Sequence, residues 1–181
     1  MFGLFSRKSN KPFIDKLHGE IMAGVLNPAL YLSYGVSDTF EGRFEMLVLH
    51  GALTTRRIEL LPAPGPDLAQ DLTDGIFRAL DATLREMGVG DVTVPKKMKK
   101  HAESYAGRAF SYFSALQKQD EKALRLALAR NVYGDEARAA SSENGRLAAY
   151  ALAIDARLAT YDLDHFMSGK VGYPDPADMG A

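Results

Sequence analysis

At 181 residues the chain has the length of one domain with its own buried core. With no cysteine it can hold no disulfide, thiolate metal site or cysteine nucleophile. A formal net charge of -1 gives no global attraction for nucleic acid, so DNA is not an expected partner and any anion-binding surface must be local.

At the N-terminus Phe2, Leu4 and Phe5 precede Arg7, Lys8 and Lys11, the reverse of the order in a secretory signal. The stretch is also short for a mitochondrial transit peptide, so the chain is expected in the cytoplasm. Residues 1–11 read as a flexible basic and apolar tail, with the composition to dip into a membrane surface but too short to anchor alone. No apolar run approaches the roughly 20 residues of a membrane-spanning helix. The longest are of the order of Met46-Leu47-Val48-Leu49.

From Pro12, which suits a first helical turn, Ile14, Leu17, Ile21 and Val25 recur at helical spacing. Asn27 before Pro28 caps a short helix that ends at Gly35. Asp38 and Glu41 have capping-box spacing and open a helix to about Leu60. Phe40, Phe44, Leu47 and Val48 form one face of it, and Met46, Leu49 and Leu53 a second apolar side. A helix apolar nearly all round belongs in the middle of a domain. Residues 43–50 have local strand propensity, but the capping signal and the length favour a helix.

Pro62, Pro64, Gly65 and Pro66 make a loop. A helix from about Asp67 carries Leu72, Ile76, Leu80, Leu84 and Met87 and stops at Gly88. Thr93 is the candidate cap of the next, which runs to about Gln117 on a stripe that includes Met98, Tyr105, Ala109 and Tyr112. Asp120 caps a helix to Tyr133. An alanine-rich connection leads to Ser142 and a last helix that runs to near Met167, with Leu147, Tyr150, Ile154 and Leu158 on one face. Residues 169–181, with two prolines, are expected to form a flexible tail. The expectation is an all-α chain: a single compact bundle of about six or seven helices over residues 12–168.

Candidate chemistry is sparse. The histidines have no metal-ligand spacing, and no catalytic signature or phosphate-binding glycine loop occurs. The nearest approach to a metal or small-ligand site is Asp162 and His165, which on a helix face one way; the alternative is a solvated helix end. The back of the last helix, with Ala149, Leu152, Ala156, Ala159 and Leu163, is either central in the bundle or a groove for a partner helix. Residues 96–100 stand out more. Lys96, Lys97, Lys99 and Lys100 occupy the first turns of a helix, where positive charge opposes the helix dipole, and all four avoid its apolar stripe. Local conflicts of this kind mark functional surfaces. RNA of the ribosome, anionic lipid or an acidic partner would fit, against a solvated face with no partner.

Four segments carry a family resemblance. They are residues 38–50 (Asp-Thr-Phe-Glu-Gly-Arg-Phe-Glu-Met-Leu-Val-Leu-His), 85–91 (Arg-Glu-Met-Gly-Val-Gly-Asp), 105–108 (Tyr-Ala-Gly-Arg) and 129–134 (Ala-Arg-Asn-Val-Tyr-Gly). In this order and spacing they resemble the ubiquinol–cytochrome c chaperone family, over most of the chain. The resemblance implies a helical chaperone that is not an enzyme and uses no cofactor. Its client would be newly synthesised cytochrome b, held until haem insertion and assembly of the cytochrome bc1 complex. Mitochondrial members work in the matrix, near the ribosomal tunnel exit and with a small partner protein. This chain lacks their N-terminal extension and targeting sequence, so ribosome binding and the small partner do not carry over directly; the expected location is the cytoplasm, peripheral at the inner membrane. Client contact falls by the resemblance on Arg43, Phe44, Met46, Tyr105 and Arg108. Phe44, Met46 and Tyr105 have a competing assignment as core. Arg43 and Arg108 do not, because a long cation in a motif is seldom needed for packing alone.

Overall fold

The computed structural model describes residues 7–179, with side chains from Lys11 to Met179. Eight α-helices and two short 3-10 helices follow one another among them: α1 (Arg7–Val25), α2 (Pro28–Leu32), α3 (Phe40–Glu59), α4 (Gly65–Glu86), α5 (Val94–Gln117), α6 (Glu121–Val132), a 3-10 turn (Glu136–Ala140), α7 (Ser142–Ala159), α8 (Leu163–Met167) and a second 3-10 turn (Pro176–Met179). The described residues contain no strand, and the all-α expectation holds.

Helix α3 is the axis. It packs on α1, α4, α5 and α7, and every residue from Phe44 to Thr55 is buried. Its all-round apolar character therefore marks a central helix. Helix α4 is one-sided: Leu68, Leu72, Ile76, Leu80 and Leu84, four residues apart, face inward. Burying each such side chain contributes about 2 kcal/mol. Because α3, α4 and α5 run antiparallel, one end of the bundle gathers the start of α3, the end of α4, the start of α5 and the end of α1.

The structure corrects several boundaries. Helix α1 begins at Arg7, ahead of Pro12, which sits inside it and removes one backbone hydrogen bond. Residues 1–6 of the expected tail lie outside the described residues. Helix α3 is capped by Thr39, whose Oγ1 accepts from the Gly42 N–H at 3.2 Å, and not by Asp38. Asp38 binds Arg43 instead. Thr93 precedes α5 without a side-chain cap. The last long helix stops at Ala159, because Asp162 is extended and its carboxylate accepts from the His165 N–H at 2.9 Å, restarting the chain as α8.

The segment after Gly169, expected to be loose, packs against the domain. Val171 is fully buried, and its N–H donates to Glu20 at 3.1 Å. The Tyr34 hydroxyl donates to the Pro176 carbonyl at 2.7 Å. Tyr173 reaches the Thr54 hydroxyl at 2.5 Å. Prolines and polar residues suggested a free tail, yet the apolar and aromatic residues among them find partners on α1, α2 and α3.

Candidate functional site

Where α1, α3 and α4 converge at the shared end of the bundle, a cavity of about 550 Å³ opens to solvent. Its walls are apolar: Met22 and Val25 from α1 with Leu26 just past its end, Phe40, Phe44 and Leu47 from α3, and Ile76 and Leu80 from α4 with its C-cap Met87. Polar side chains, among them His18, Asp38, Arg43 and Thr83, are interspersed at this lining. Leu26 and Met87 are 47% and 57% exposed, so the groove presents apolar surface to water. A recess of this size and character accepts apolar side chains of a partner segment laid along it.

The motif at residues 38–50 builds this wall and its support. Its glycine is a packing requirement: a Cβ at Gly42 would lie 1.9 Å from the Ser37 carbonyl oxygen, so the turn before α3 can fold onto the helix only there. Next to it Arg43 donates to Asp38 Oδ1 at 2.8 Å with its side chain half exposed, a polar latch at the groove rim. Phe44 forms groove wall while only 6% exposed. From behind, α5 holds it: the His101 ring lies 4.6 Å away centroid to centroid, and the Arg108 guanidinium sits 5.9 Å over the phenyl ring.

Arg108 has a further task. Its Nε donates to Glu45 at 2.6 Å, and the Glu45 side chain is 7% exposed. Burial pushes the Glu45 carboxyl above its ordinary value, and the hydrogen bond and charge of Arg108 oppose that shift. This cation is thus engaged with a nearly buried carboxylate, a packing contact that its motif position alone did not reveal. Met46 is fully buried. Tyr105 is 8% exposed, its ring edge-on to Phe77 at 5.4 Å. Of the five residues drawn from the resemblance, the groove brings together Arg43 and Phe44; Arg108 braces them, and Met46 and Tyr105 are core. Met22, Leu26 and Met87 went unnoticed as groove residues. The available signal was that Met22 and Leu26 fall off the Ile14–Leu17–Ile21–Val25 stripe.

Further along α3 the surroundings become polar and closed. His50 lies 2.8 Å from the Met46 carbonyl through Nδ1, so that nitrogen carries the proton, and Nε2 accepts from the Tyr150 hydroxyl at 2.9 Å. The Tyr173 ring stands edge-on to the imidazole at 4.9 Å. Burial lowers the His50 pKa to about 4.

Lys96, Lys97, Lys99 and Lys100 are all exposed at the start of α5. Lys99 lies 3.9 Å from Glu103; the other three have no ion-pair partner among the described residues. His101 follows them and rests against Phe40 and Phe44, so the basic patch adjoins the groove wall. Asp162 spends its carboxylate on the α8 cap, and the His165 ring stacks on Tyr161 at 3.6 Å. No cluster of three or more potential metal ligands occurs among the described residues. None of their helices is long and apolar enough to cross a membrane.

A helical bundle with an open apolar groove, walled in part by its central helix, has a form suited to holding another chain. The chain belongs to the ubiquinol-cytochrome C chaperone family, whose model matches residues 32–173. The crystal structure of the Cbp3 homolog from Brucella abortus is similar to it, with a TM-score of 0.83 and 33% sequence identity over 94% of this chain and 93% of that one. No curated protein matches.

Proposed function

We propose that this protein is a non-enzymatic assembly chaperone that binds newly synthesised cytochrome b in the groove between α1, α3 and α4 and so assists biogenesis of the cytochrome bc1 complex. Membership of the chaperone family supports the client class. The observation that carries the reading is the groove itself, apolar, open and walled in part by residues 38–47, the segment that carried the resemblance. A membrane protein fresh from synthesis presents apolar helices that water does not solvate. A groove lined by Leu26, Phe40, Phe44 and Met87 buries one face of such a helix, while Arg43 and Asp38 offer its polar end a partner. The protein acts in the cytoplasm, at the face of the inner membrane.

The test is capture of the tagged chain from its native host, with a photo-crosslinking residue at position 26, 43 or 108. Cytochrome b is expected to be enriched, and to crosslink from positions 26 and 43 but not from 108. The same capture reads out a ribosome near the tunnel exit and a small partner protein. Absence of cytochrome b with another protein dominating would remove the client assignment; crosslinks from 108 alone would remove the groove.

A further inference from the structure

We infer that the corner formed by the α4–α5 connection and the first turns of α5 docks on an anionic lipid bilayer, holding the mouth of the groove at that surface. Three observations converge. Val92, in the connection, is 94% exposed, and Met87, just before it, is 57% exposed. Single exposed apolar residues are ordinary, but these two project beside the lysines of α5. Lys96, Lys97 and Lys100 have no ion-pair partner among the described residues, although they sit at the helix end where the dipole disfavours them. The acids nearby are largely engaged: Asp91 by Arg85 and Glu103 by Lys99, with exposed Glu86 offsetting part of the charge.

The third observation is continuity. Met87 belongs to both the corner and the groove, and His101 joins the lysine face to Phe40 and Phe44. An aliphatic tip beside long cationic side chains suits a headgroup layer, which takes the tip among the acyl chains and lets lysine stems lie along apolar surface with their charges in the phosphates. Single-stranded RNA would call for exposed aromatic rings among the cations. At this corner the exposed apolar groups are aliphatic; Tyr105 is buried, and the exposed Phe110 lies farther along α5, ten residues past Lys100. The inference extends beyond the client assignment and does not depend on it.

The experiment is co-sedimentation of the purified full chain with vesicles of equal parts phosphatidylglycerol and phosphatidylcholine, and with pure phosphatidylcholine. Binding is expected to the anionic vesicles only, weakening as salt screens the charges. Each lysine near an anionic surface strengthens binding about fivefold, so Lys96→Glu, Lys97→Glu, Lys99→Glu and Lys100→Glu together should lower it by a factor of about a hundred or more. Val92→Asp, at a position too exposed to disturb folding, should lower it about tenfold by losing one buried aliphatic side chain. Helix content by circular dichroism should be unchanged in both. No binding by the wild-type chain, or undiminished binding by the charge-reversed one, overturns the inference. So does binding that ignores Val92→Asp while ribosomal RNA outcompetes the vesicles, which would make this corner an RNA surface. Client capture by the charge-reversed chain is expected to persist, which separates failure here from failure of the client assignment.

Discussion

Helix α3 borders two spaces of opposite character. Phe40, Phe44 and Leu47 line an open apolar groove, whereas His50 and Thr54, a little further along, are fully buried in a polar cluster with Tyr150 and the partly buried Tyr173. In the cluster the imidazole and three hydroxyls find partners inside the domain. In the groove, Leu26 and Met87 are left in water. The difference separates what the chain needs in order to fold from the surface we propose it offers to a client. The histidine, usually the first suspect for chemistry, is committed to structure, and the uncommitted surface is hydrocarbon.

Changes on the closed side and in the bracing of the groove should register as stability; changes on the open side should register as binding. Arg108→Ala leaves Glu45 buried without its cation, and breaking such a pair costs about 3 kcal/mol or more; denaturant midpoints measure it. Restoration of much of that loss in an Arg108→Ala, Glu45→Leu double variant would confirm that the cation serves packing. Acid should weaken the cluster next. Burial holds the folded His50 pKa at about 4 against 6.5 in the unfolded chain, so the folded form binds fewer protons between those values. Its stabilising contribution is complete above pH 6.5 and is lost as pH falls to 4, by up to about 3 kcal/mol. His50→Gln should flatten that part of the stability profile relative to wild type, and an unchanged slope would contradict the buried neutral imidazole.

Gly42→Ala should follow, at about 2 kcal/mol, because its methyl meets the backbone of Ser37 and the turn must move. Since that turn carries Asp38 and Thr39, crosslinking from position 43 should fall as well. The smallest stability effect belongs to the groove lip. Leu26→Glu should stay within about 0.5 kcal/mol of wild type, as surface changes do, yet abolish client capture. A variant that loses stability and keeps its client would reverse the assignment of the two sides.

Much of the fold was legible because caps and periodicity are local. Asn27 and Asp120 cap the helices they were expected to cap, and the apolar girdle of α3 announced a central helix. What the sequence concealed was longer in range. Asp38 and Glu41 have capping-box spacing, but Arg43, five residues from Asp38, competes for its carboxylate, and local spacing does not decide between them. Arg108 looked free because Glu45 lies 63 residues away. The groove was hidden for the same reason: its walls come from three helices, and Leu26, off its stripe, and Met87, at a helix end, mark it only once these are packed together. The motif at residues 38–50 marked the right place, although it mixes groove wall, brace and core in consecutive positions.

The packing of residues 171–179 sets an order of events. Tyr173 meets Thr54 across 119 residues, Pro176 meets Tyr34 across 142, and Val171 meets Glu20 across 151. Closing loops of that size is entropically late, so the α1–α3–α4 unit with its groove should assemble before this strap seals the imidazole. Tyr173→Phe, which loses the contacts to the Thr54 hydroxyl and the His50 carbonyl and about 1 kcal/mol, should then speed unfolding and leave the folding rate nearly unchanged. On that ordering the groove exists before the domain is finished, and the last residues act as a fastener on a recess already shaped.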